Sequence, residues 1–133
     1  MSIVVGYIPS PAGEAALDRA VLEARRAGCT LVVVNSSRGD APVDDRLIDA
    51  RQFNELEARL AGEDIDFWIE RFPQGGDAAA EVLRVAEARR AELIVIGLRK
   101  RSAVGKFLMG STAQRIILQA TCPVLSLKAP DHL

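Results

Sequence analysis

The residue types able to bind an anion are concentrated in one stretch, running from Gly97 to Thr112. It carries Arg99, Lys100, Arg101 and Lys106, has glycines at 97, 105 and 110, and ends in Gly110-Ser111-Thr112 just before an apolar helical pattern. Glycines admit close approach of the backbone, and a helix start presents N–H groups with no partner inside the helix. Aligned N–H groups, hydroxyls and basic side chains together make a phosphate cradle. A plainer alternative stands beside it: Ser111 or Thr112 caps the helix and Gly97 turns the chain. The stretch is not a Walker loop, since Phe107 follows Gly105-Lys106 where a metal-binding Ser or Thr belongs.

Charge distribution points the same way. Net charge is −1, yet between Leu93 and Pro130 there is no Asp or Glu and six basic residues, against 11 basic and 18 acidic in the rest. A basic segment on an acidic chain predicts a local anion site of small-ligand size and no nucleic-acid partner, with a solvated basic face as the alternative. Catalytic residues are not expected. The one histidine, His132, is in the tail, so no Ser-His or Cys-His pair forms in the body, and Asp40, Asp44 and Asp45 read as turn and capping residues. Nor is a metal site expected. Cys29 and Cys122 lack metal-type spacing and read as buried free thiols of a reducing compartment.

The elements that position this stretch follow from hydrophobic pattern. Five short apolar runs begin at Ile3, Leu31, Ile65, Leu93 and Val124; four are nearly continuous and β-branched, as strands covered on both faces require, and the one at Ile65 alternates like an edge strand. Four helical stripes separate them. These are Leu17, Ala20, Val21 and Ala24, stopped by Gly28; Phe53, Leu56 and Leu60 within 44–60, ended by Gly62; Ala78, Val82, Val85 and Ala86, capped by Asp77; and Ala113, Ile116, Ile117 and Ala120. The order is βαβαβαβαβ, which predicts a doubly wound, flavodoxin-like parallel sheet with helices on both faces. Ligands of such sheets bind at the carboxyl ends of the strands, near the switch point, which selects the loops 7–13, 35–43 and 97–111. At 133 residues and 49% hydrophobic composition, one domain over 1–133 is expected, and disorder is excluded. No apolar run reaches the ~18–20 residues of a membrane span and no leader is evident, so a cytoplasmic protein with no membrane partner is expected.

Three segments carry a family resemblance: Ile3-Val4-Val5-Gly6-Tyr7; Ile94-Val95-Ile96-Gly97 with the basic loop and Leu108-Met109-Gly110-Ser111-Thr112-Ala113-Gln114-Arg115-Ile116; and Thr121-Cys122-Pro123-Val124-Leu125. Together they resemble the universal stress proteins. The resemblance implies strand order 3-2-1-4-5 and a stress-response regulator that binds an adenine nucleotide: ATP, or AMP or ADP, with Mg2+ as an optional companion of ATP. Hydrolysis is slow at most. The family's glycine, two residues, glycine, nine residues, glycine-Ser/Thr motif maps onto Gly97 and Gly110-Ser111, with Lys100 in place of the middle glycine; Ile8 stands where nucleotide-binding members usually carry an Asp after the first strand. The implied contacts are Gly97, Arg99, Lys100, Ser102, Gly110, Ser111 and Thr112 for the phosphates, and Gly6 and Val34 for the nucleoside. The resemblance also implies a homodimer through Val124, Leu125, Ser126 and Leu127, an apolar edge without mid-strand charge. The alternative, marked by Ile8 and Lys100, is a dimeric interaction module that binds no nucleotide. In the implied order Cys29 and Cys122 start strands three steps apart, ~14 Å, beyond the reach of a disulfide.

Overall fold

The computed structural model describes residues 1–36, 46–72, 77–98 and 109–129. Five strands, β1 (Ser2–Gly6), β2 (Thr30–Ser36), β3 (Phe67–Phe72), β4 (Ala91–Leu98) and β5 (Val124–Lys128), alternate with α1 (Pro11–Ala27), α2 (Ala50–Ala61), α3 (Ala78–Ala88) and α4 (Ser111–Gln119). All strand pairs are parallel, in the order β3-β2-β1-β4-β5. This is the expected flavodoxin-like sheet.

Alternation along β1 divides the core into two layers. Ile3, Val5 and Tyr7 face one side and pack with Leu17, Ala20, Leu56 and Leu60 of α1 and α2. Val4 faces the other, with Val82 and Val85 of α3 and Ile116 of α4. Both faces of the inner strands are therefore dry, which explains why β1, β2 and β4 read as continuous apolar runs. At the end of α1, Gly28 adopts φ 66°, a left-handed stop that costs glycine little, and donates its N–H to Ala24 O.

The structure moves several boundaries. The second helix starts at Ala50 rather than near 44, because Asp49 and Gln52 form a capping box that fixes its first turn. Asp40, Asp44 and Asp45 lie outside the described residues. β3 begins at Phe67 rather than Ile65, after a turn in which Asp64 takes φ 58°. On α4, Ile116 is buried but Ile117 is 37% exposed, so the apolar stripe is narrower than its sequence.

Cys29 and Cys122 are free, but half-buried rather than buried, since each sits just ahead of its strand at the margin of the helix-covered sheet. They pack against opposite core layers, which keeps them from bridging. Among the described residues no helix is long and apolar enough to cross a membrane.

Candidate functional site

The chain winds from β1 out to β3, then returns beside β1 to build β4 and β5. Connections leaving β1 and β4 therefore depart in opposite directions, and a crevice opens at their carboxyl ends. It holds a cavity of about 770 Å³. Gly6, Val34, Val82, Ile96 and Ile116 give it an apolar floor, and Ser10, Ser36, Arg46, Asp77, Ser111, Thr112 and Arg115 a polar rim. A volume in the range of ~300–1,000 Å³ with a few converging polar groups is typical of small-ligand sites.

Three helices begin at this rim, each differently. At α1, Ser10 is extended and its Oγ accepts from Gly13 N at 3.0 Å, while Pro11 occupies the first turn where a missing N–H costs nothing. At α3, Asp77 caps by accepting from Ala80 N at 3.2 Å. At α4 the cap residue is Gly110, which has no side chain to offer. Ser111 and Thr112 are exposed, and among the described residues their hydroxyls and first-turn N–H groups have no partner. The plainer alternative, in which one of these hydroxyls caps the helix, does not occur.

Gly97 lines the cavity and also has a packing role. A Cβ there would lie 2.3 Å from Ala12 O, so its glycine lets the first turn of α1 sit on β4; the close approach is to protein. At Gly13 a Cβ would lie 1.8 Å from Ile8 O, because Ile8–Ser10 folds back over the helix start. By contrast a Cβ at Gly6 would make ordinary contacts of 3.5–3.6 Å with Val82 and Ile96.

The universal stress protein family model matches residues 1–128. The chain belongs to the universal stress protein family. It is 44% identical over 126 residues to a universal stress protein of Mycolicibacterium smegmatis, covering 95% of this chain and 96% of that one. A universal stress protein structure from Archaeoglobus fulgidus is similar at TM-score 0.79 and 32% identity, over 96% of this chain and 98% of that one. A second from that organism, in complex with dAMP, has TM-score 0.66 and 26% identity, over 96% and 98% of the two chains.

Of the residues expected at the site of this universal stress protein, Gly6, Val34, Gly97, Gly110, Ser111 and Thr112 all line the one cavity; Arg99, Lys100 and Ser102 lie outside the described residues. Ile8 also lines it. The structure adds members that pattern reading missed. Asn35, fully buried, donates to Tyr7 O at 3.0 Å and Arg46 O at 2.7 Å and accepts from Ile48 N at 3.0 Å, tying 46–48 to the end of β1 and setting Arg46 on the rim. A polar residue directly after the apolar run Leu31–Val34 was its only signal. Arg115, which the sequence gives as a basic residue of the family-resembling segment with no assigned contact, donates to the Asp77 carboxylate.

Below the rim, Tyr7 donates its hydroxyl to Glu14 Oε2 at 2.5 Å, and Arg59 clasps Glu14 and Asp18 at 2.6 Å each. Burial first, then the Glu14 carboxylate, push the phenol well above its ordinary value, so it stays protonated. It acts as a latch on α1. Among the described residues no group of three or more His, Cys, Asp or Glu could hold a metal ion.

Proposed function

We propose that this universal stress protein is a regulator that binds an adenine nucleotide in the cavity at the β1–β4 crevice, its phosphates at Gly110-Ser111-Thr112 and its nucleoside toward Gly6 and Val34. The carrying observation is the uncapped start of α4, with its hydroxyls and N–H groups facing a cavity of about 770 Å³. An anion is the natural partner of such a start, through aligned N–H groups and the helix dipole. The apolar floor suits a nucleoside, and the similar Archaeoglobus fulgidus protein was solved with dAMP. ATP, with or without Mg2+, is the expected ligand, because the sequence between β4 and α4 carries four basic residues, at 99–101 and 106. The protein works by binding and turns over little nucleotide. Asp77 is the one carboxylate among the described lining residues, and it is engaged in capping α3 through its Oδ1.

Dimerisation through β5 belongs to the same reading. β3 guards its edge with Glu70 and Arg71 in mid-strand, whereas β5 has no charge before Lys128, and Val124–Leu127 are only half-buried. Pairing with a second copy covers that edge. The unbridged thiols suit a cytoplasmic location.

Native mass spectrometry of the purified protein, followed by titration with ATP, tests the ligand. An adenine nucleotide should be present or should bind, and Gly110→Val, which puts methyls where backbone meets phosphate, should abolish it. A protein free of nucleotide, with no thermal shift in millimolar ATP, would instead be the interaction module that has lost its ligand.

A further inference from the structure

The Asp77–Arg115 pair is the feature of the cavity that a phosphate site does not explain. Asp77 already has a task in capping α3, through its Oδ1 and Ala80 N at 3.2 Å. Its other oxygen, Oδ2, accepts from Arg115 Nη1. Arg115 lies four residues beyond Ser111, hence on the same face of α4, one turn below the uncapped start. Both side chains line the cavity, and they remain 42% and 46% exposed, so the pair is open to ligand and solvent. A carboxylate beside a phosphate position opposes each added negative charge, and a guanidinium has donors enough to serve carboxylate and phosphate in turn.

Resting on the nucleotide reading above, we propose that Asp77 is a specificity-determining residue for ligand charge: it disfavours polyphosphates and holds Arg115 as an exchangeable counter-cation. A triphosphate draws Arg115 from Asp77 and leaves that carboxylate exposed to it. Adenosine disturbs neither group.

Asp77→Asn tests this without removing the α3 cap, since Asn caps as well as Asp. Calorimetric affinities for ATP, AMP and adenosine at low salt should show ATP tighter by about fivefold, AMP by about twofold and adenosine unchanged, with the gains shrinking as salt is added. Arg115→Gln should do the reverse, weakening ATP by about tenfold and sparing adenosine. The double variant restores the pair's net charge and should recover most of the ATP affinity lost in Arg115→Gln. If Asp77→Asn leaves the ATP-to-adenosine ratio unmoved, or weakens both ligands together with a lower melting temperature, the pair is a staple between α3 and α4 and the assignment is wrong. Wild-type protein that binds neither ATP nor adenosine overturns the nucleotide reading and this assignment with it.

Discussion

The starts of α1 and α4 face the same cavity and are built in opposite ways. α1 satisfies itself: Ser10 Oγ takes the Gly13 N–H, Pro11 removes another donor, and Gly13 and Gly97 let the turn pack against Ile8 and β4 without a gap. α4 begins at a glycine with no side-chain cap, and its Ser111 and Thr112 hydroxyls stay exposed. Two helix dipoles of the same sense thus reach one crevice, but one is spent on folding and the other is left for a ligand. A helix N-terminus is a binding site only where the fold has not already used its donors.

Substitutions at the α1 start should accordingly change stability and leave ligand preference alone. Gly13→Ala is the most severe, because its Cβ would meet Ile8 O at 1.8 Å and the chain must shift; about 3 kcal/mol of unfolding free energy should be lost in urea titration. Ser10→Ala removes the cap and should cost about 1 kcal/mol, with an unaltered ratio of ATP to adenosine affinity. A changed ratio would mean that α1 also serves the phosphates. Arg59→Met releases Glu14 and Asp18, but these ion pairs are largely exposed and about 0.5 kcal/mol is expected.

The smallest effect appears only in alkali. The folded state holds Tyr7 protonated above its ordinary value of 10, so this contribution is complete below pH 10 and declines as pH rises beyond it. Tyr7→Phe should lose less stability than wild type between neutral pH and the alkaline range, as measured by urea midpoints.

What the sequence made legible follows the same division. Local punctuation was readable: Gly28 as a left-handed stop, Asp77 as a cap, and Gly110-Ser111-Thr112 as a helix start with idle hydroxyls. The doubly wound parallel sheet followed from element count and alternation, and its strand order from the family resemblance. Features made by distant contacts were not readable. Gly97 lines the cavity as expected, but nothing local reveals that Ala12, 85 positions earlier, also presses against it. The Asp77–Arg115 pair joins two helices 38 residues apart, and Asn35 reaches across to Tyr7 and Arg46. The start of α2 is legible too: Asp49-Ala50-Arg51-Gln52 is a capping-box pattern, and it prevails over a backward extension of the Phe53 stripe.

The central claim is that the uncapped α4 start holds the phosphates, and calorimetric titration of ATP and adenosine into wild type and Ser111→Ala tests it most directly. Ser111 caps nothing, so the variant should keep wild-type stability. Loss of one hydrogen bond to a charged phosphate, about 1.5–3 kcal/mol, should weaken ATP roughly ten- to a hundredfold while adenosine binds as before. Equal losses for ATP and adenosine, or no loss for either, would place the phosphates elsewhere and leave α4 an ordinary helix start.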